Sequence, residues 1–280
     1  MKKDLKVIVP KIGSATSLYR QLLIHIGFFF DRSSRIYLRK HIRERFDANR
    51  EQKCPQRIKK AFQDGHKALV GLKKAIAGDI RSCEKILELT YGRRGRRKHE
   101  LLRPLLTSLR TGTPMVPGRP RTKLPVLSAQ FQMLIESQMP GRTIFLENTT
   151  LDRRRYANLC WRKFVAIYLK ILAPLPIKEI KLLERLCRGE EAISMDQSFR
   201  KLRSEPPNSA DPHYITPRFQ RRLYQRLLMK CPLLFWDYDQ GWVVKWSKEA
   251  PNKNMRANLI HDEMFLTDEK DIKTNFQEKK

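Results

Sequence analysis

The sequence predicts a mainly α protein, with an N-terminal three-helix bundle and a second α-rich region that ends in a small β-hairpin. Three observations lead there. Apolar residues recur at steps of three and four over long stretches, the period of a helix with one buried face. Hydroxyl residues and prolines stand where those stretches begin. Near the C-terminus, residues 233–236 and 242–246 are short apolar and aromatic runs on either side of a turn at 237–241 that contains Gly241, a hairpin pattern.

The first helix is expected from the hydroxyl residues Ser14 and Thr16 to about Phe30, with Leu18, Leu22, Ile26 and Phe29 on one stripe. A polar break at 31–34 separates it from a second helix, capped by Ser33 or Ser34, with Leu38, Ile42 and Phe46 as its apolar stripe. Pro55 suits the first turn of a third helix. Ile58, Phe62, Gly65, Leu69, Leu72, Ile76, Ile80, Cys83 and Leu87 then keep one period. That run predicts a single helix of about 45 Å at about 1.5 Å per residue, with Gly71 and Gly78 as places for a bend. Residues 14–91 are therefore expected to form a bundle.

The texture changes at 92–124. Ten bases face one acid, Glu100, and Pro104, Pro114, Pro117 and Pro120 oppose a long helix, so an extended basic connector is expected with at most a helical turn near 101–109. In residues 125–246 a helix from Thr150 to about Leu172 is expected to turn Tyr156, Cys160, Phe164, Ile167 and Ile171 inward. Helices at 177–188 and from Pro217 to about Lys230 follow, with a loop at 190–212 between them. The segment Leu223-Tyr224-Gln225-Arg226-Leu227-Leu228 reads as an ordinary amphipathic helix. Residues 247–280 carry seven bases and seven acids and are expected to form a flexible charged tail.

Composition excludes several function classes. With 58 Lys and Arg against 29 Asp and Glu, the net charge of +29 favours polyanionic partners. The longest apolar run, residues 22–30, is far short of the roughly 20 residues of a membrane-spanning helix. Five widely spaced cysteines form no CxxC pair, and six histidines show no HxxxH or HExxH spacing, which argues against a disulfide framework and a metal site. Neither a phosphate-binding glycine loop nor a GxSxG elbow occurs, so no catalytic residue is assigned and the chain is not expected to be an enzyme. Residues 5–30 lack acids and carry Lys6, Lys11, Arg20, Ser14, Thr16 and Ser17, a pattern shared by mitochondrial import segments and by plain basic helices.

Residues 17–23 read Ser-Leu-Tyr-Arg-Gln-Leu-Leu at the start of the three-helix unit, and the second helix carries Ile42-Arg43-Glu44-Arg45-Phe46. With the Pro55 turn and Gly65 in the third helix, this combination resembles the LYR motif (Complex 1 LYR) family, over about 80 residues. The resemblance implies an LYR-type bundle in a long, fungal-type member: a non-catalytic adaptor of the mitochondrial matrix that binds mitochondrial acyl carrier protein. No cofactor is bound directly. The acyl-4′-phosphopantetheine belongs to the partner, and its acyl chain enters the bundle. By position, Leu18, Tyr19 and Phe46 line or close the acyl path, and Arg20, Arg39 and Arg43 meet the carrier's acidic surface. The residues agree in one respect: Arg35, Arg39, Arg43 and Arg50 form a basic stripe beside the apolar one, which suits a partner presenting both an acyl chain and carboxylates. Without the resemblance, Leu18, Tyr19 and Phe46 read as plain core.

The client of such an adaptor is open between the mitochondrial ribosome, favoured by the charge, and iron–sulfur or respiratory-complex assembly. Arg93, Arg94, Arg96, Arg97 and Lys98 are the candidate nucleic-acid-binding residues, with ribosomal RNA as the expected ligand. The alternative is a basic RNA-binding mitochondrial ribosomal or assembly protein that never binds the carrier.

Overall fold

The computed structural model describes residues 12–106, 110–114, 123–145, 150–190 and 215–249. Most of the loop expected at 190–212 and of the tail expected at 247–280 falls outside the described residues. The helices in chain order are α1 (Ile12–Phe28), α2 (Arg32–Asn49), α3 (Pro55–Ile76), α4 (Ile80–Thr90) and α5 (Gly95–Leu106), then α6 (Ala129–Gln138), α7 (Arg153–Lys170), α8 (Ile177–Arg188) and α9 (Pro217–Met229). Strands β1 (Arg110–Pro114) and β2 (Lys123–Val126) precede α6, and β3 (Pro232–Asp237) and β4 (Gly241–Trp246) follow α9. The protein is mainly helical with small antiparallel sheets. It forms two compact units, Met1–Thr90 with Arg185–Tyr224, and Tyr91–Glu184 with Gln225–Lys280.

In the first unit, α1 packs on α2 and α3, and α4 packs on α2 and α3. Leu18, Leu22, Ile26 and Phe29 are all buried, so the expected stripe of α1 is its core face. The α1–α2 turn holds a difference from expectation: the cap of α2 is Asp31, whose Oδ2 accepts from the Ser34 backbone N–H at 2.7 Å. An aspartate three residues ahead satisfies that orphan donor and leaves Ser33 and Ser34 inside the helix.

The single long third helix is corrected to two. The chain leaves α3 through Gly78 at φ +95°, with the Asp79 N–H bonded to the Lys74 carbonyl at 3.0 Å. Asp79 then caps α4, its Oδ2 accepting from the Ser82 N–H at 3.0 Å and the Ser82 Oγ at 2.5 Å, which holds its carboxyl below the ordinary carboxylate range. Apolar periodicity passes through a three-residue break unchanged when the second helix buries the same side, as Cys83 and Leu87 do here. Ile80, beside the break, is exposed instead.

The second unit is built on a core in which Leu102, Phe131, Leu134, Phe164, Ile167 and Ile171 pack together, with Leu234 of β3 and Val244 of β4 against it. Expectation is corrected here too: residues 95–106 form α5, although Pro104 lies inside it. Pro104 is exposed while Leu102 and Leu105 are buried, so core packing of the apolar face outweighs the hydrogen bond the proline cannot donate. Helix α6 was not expected; Ser128 Oγ caps it from the Phe131 N–H at 3.2 Å. Tyr156 packs against the core, and Cys160, Phe164, Ile167 and Ile171 are buried in it, as the period of α7 predicts. The C-terminal hairpin has the expected strands, paired from Pro232↔Trp246 to Asp237↔Gly241, with Gly241 at φ +77°.

Candidate functional site

The LYR tripeptide sits on α1 where Leu18, Leu22 of α1 and Leu69 of α3 form a buried cluster. Ile42 and Phe46 of α2 and Phe62 of α3 pack against it and are only half-buried. Gly65 makes this approach possible: a Cβ there lies 2.9 Å from Leu18 Cδ2, so any side chain displaces Leu18. The Tyr19 and Phe46 rings meet edge to face, with centroids 5.0 Å apart and planes at 61°. Two residues 27 positions apart, singled out from sequence, thus form one aromatic pair at the rim of the apolar cluster.

Around this rim Arg20 and Arg43 are exposed and Arg39 is half-buried. Arg45 pairs with Asp64 at 3.8 Å and Lys40 with Glu44 at 4.0 Å, both exposed pairs of small energetic weight. Arg35 leaves the expected basic stripe. It is 2% exposed, and its Nη1 donates to the carbonyls of Phe29 at 2.8 Å and Phe30 at 3.2 Å. The first turn of α2 thus uses its arginine to satisfy the carbonyls that end α1.

The five residues singled out for nucleic acid separate in the structure. Arg93 is buried at 4% exposure: Nε donates to the Tyr91 carbonyl at 3.1 Å, Nη2 to the Ala173 carbonyl at 2.7 Å, and Nη1 to the Lys230 carbonyl. Lys98 is buried too, with Nζ on the Leu169 carbonyl at 2.6 Å. Burial, then the nearby Arg93 charge, lowers the Lys98 pKa to about 8. Arg97 pairs with Glu179 at 2.5 Å, and Arg96 with Glu100 at 2.8 Å. Arg94 and Arg96 are the two of the five that are exposed. Sequence reasoning missed the carbonyl-binding role because its acceptors, at the ends of α7 and α9, lie 71 to 137 residues away in the chain.

Among the described residues no group of three or more His, Cys, Asp or Glu could hold a metal ion, and no helix is long and apolar enough to cross a membrane.

No curated protein and no solved structure matches the chain. Residues 18–102 match a family model, LYR motif-containing protein 2-like, which begins at Leu18 of the tripeptide and runs from α1 into α5. Over that segment, under a third of its length, the chain is similar to the LYR motif family.

Proposed function

We propose that the protein is a non-catalytic mitochondrial adaptor whose N-terminal bundle binds acylated acyl carrier protein and supports assembly of a mitochondrial complex, the mitochondrial ribosome being the favoured client. The similarity of residues 18–102 to the LYR motif family points to a mitochondrial adaptor role. The observation that carries the finer reading is the Tyr19–Phe46 pair over the Leu18–Leu22–Leu69 cluster, with Arg20 and Arg43 exposed beside it. An acyl chain gains about 0.8 kcal/mol per buried methylene in such a core. The carrier's phosphate and carboxylates are recognised by the guanidinium groups, which steer encounter and fix orientation. The ribosome is favoured among clients because the chain carries +29.

A second reading, an RNA-binding protein that never engages the carrier, rests on a different observation. Helix α7 carries six bases and no acid, and Arg154, Arg155 and Arg162 are exposed.

One experiment separates the two. The tagged protein is purified from mitochondria and the co-eluting small acidic protein is analysed by intact mass, for the wild type and for the Arg20→Glu, Arg43→Glu double variant. Under the adaptor reading the wild type recovers a carrier bearing acyl-phosphopantetheine, and the double variant loses at least tenfold of it while RNA affinity stays nearly intact. Recovery of ribosomal RNA and proteins with no carrier from the wild type overturns the adaptor reading and establishes the second.

A further inference from the structure

The buried stripe of α1 has two unlike ends. At its N-terminal end it meets the half-buried Tyr19–Phe46 rim; at its C-terminal end it meets Phe29 and Phe30, whose rings lie 4.6 Å apart. Between them lie Leu22 and Ile26, both buried. Beyond Phe30 the wall is completed from α9. Tyr224 is 1% exposed, its ring stands edge-on to Phe30 at 5.9 Å, and its Oη donates to Asp31 Oδ1 at 3.0 Å. Asp31 is itself buried, its second oxygen held by the Ser34 N–H, and the Phe29 and Phe30 carbonyls are held by Arg35. Two buried phenylalanines at the end of the stripe are thus backed by a buried, hydrogen-bonded polar layer. Tyr224 lies far outside the residues that the family model matches, so this closure belongs to this chain's own extension.

We propose that Phe29, Phe30 and Tyr224 form the distal wall of the acyl site and set the longest acyl chain the protein accepts. The inference rests on the carrier-binding reading above, with the chain entering beside Tyr19 and Phe46. Tyr19 and Phe29, just past the end of α1, are ten positions apart, a rise of about 15 Å, which an extended chain of about a dozen carbons fills. A longer chain has to push the Tyr224 ring aside and break its buried hydrogen bond to Asp31. Both steps are unfavourable where water does not replace the lost hydrogen bond. Tyr224 and Phe30 are therefore specificity-determining residues.

The test reads the acyl mass on the carrier that co-purifies with the full chain. The wild type is expected to retain chains up to about a dozen carbons and to exclude those several carbons longer. Tyr224→Ala, which opens the wall, is expected to shift the distribution up by at least one two-carbon unit. Ile26→Phe, which fills the path, is expected to shift it down by as much. Each variant's cooperative unfolding is checked first; where Tyr224→Ala does not fold, Phe30→Leu takes its place with the same expected direction. Identical distributions in the wild type and the folded variants overturn the wall, as does a wild-type distribution dominated by chains well beyond the limit. Absence of any carrier from the wild type overturns the adaptor reading and this inference with it, an outcome distinct from a carrier whose chain length does not respond.

Discussion

At the scale of single residues, Arg93 and Lys98 show how burial changes the meaning of a basic run. The Arg93 guanidinium is planar with five donors, and in the fold it serves three carbonyls at once. Arg93→Ala removes the donor to all three, so a loss of about 3 kcal/mol or more is expected in urea unfolding. Arg93→Lys recovers only part of it, because an ammonium does not reproduce the fork. Lys98 makes a pH prediction. Its folded pKa is about 8 against an ordinary value of 10.5, so the unfolded chain holds this proton more tightly than the folded one. Below about pH 8 both states carry the charge and its burial opposes folding by about 3 kcal/mol. As pH rises from 8 towards 10.5 the folded state sheds the proton first, and stability increases. Urea unfolding at pH 7.5 and 9.5 is expected to show the wild type gaining about 1–2 kcal/mol relative to Lys98→Met; an equal pH response in both removes the buried-charge account. No residue type or spacing in the run distinguishes Arg93 and Lys98 from exposed Arg94 and Arg96, since burial depends on acceptors supplied by distant segments.

At the scale of elements, helix faces were legible and helix ends less so. The inward residues of α1 and α7 follow from a three-to-four step alone, because a helix that packs on one side displays its core directly in the period. The break between α3 and α4 was not, since Gly71 and Gly78 look equivalent in sequence. Gly71 lies inside the unbroken α3, and Gly78 adopts the left-handed conformation that ends it. The two glycines inside α3 also differ. A Cβ at Gly71 meets nothing within 4 Å, so Gly71→Ala is expected to raise stability by up to about 1 kcal/mol through helix propensity. A Cβ at Gly65 lies 2.9 Å from Leu18 Cδ2, so Gly65→Ala gains the same propensity and loses it again in displacing a buried leucine. Paired thermal melts check the contrast; an equal gain at both sites refutes the close-approach account of Gly65. Only a turn of helix α5 was expected, because Pro104 weighs against a helix locally, whereas the packing of Leu102 and Leu105 is not a local quantity.

At the scale of the molecule, the family segment and the compact units do not coincide. The match covers residues 18–102, while the first unit ends at Thr90 and takes in Arg185–Tyr224. Leu223 and Tyr224 are buried there, and the Asp31–Tyr224 hydrogen bond joins residues 193 positions apart. A chain cut after residue 102 keeps the whole family match but loses this closure. It is expected to melt at lower temperature than the full chain and to lose about 3–5 kcal/mol, the scale of deleting a large buried aromatic. An undiminished melting temperature shows instead that the bundle closes on its own.

The candidate site divides along the same line. Leu18, Tyr19, Arg20, Arg43 and Phe46 were singled out through the family resemblance, and the pattern that carries it is local: two adjacent helices joined by a short turn bring fixed positions together whatever follows. Amphipathic period, the hairpin and the excess of positive charge likewise depend on neighbours in the chain and were open to reading there. The retreat of Arg35 from the basic stripe, the burial of Arg93 and Lys98, and the return of Tyr224 to the α1–α2 turn depend on which carbonyls and carboxylates remain unsatisfied once the core has formed. A buried polar group takes the partner that folding brings within reach, and that partner's distance along the chain leaves no trace in residue order.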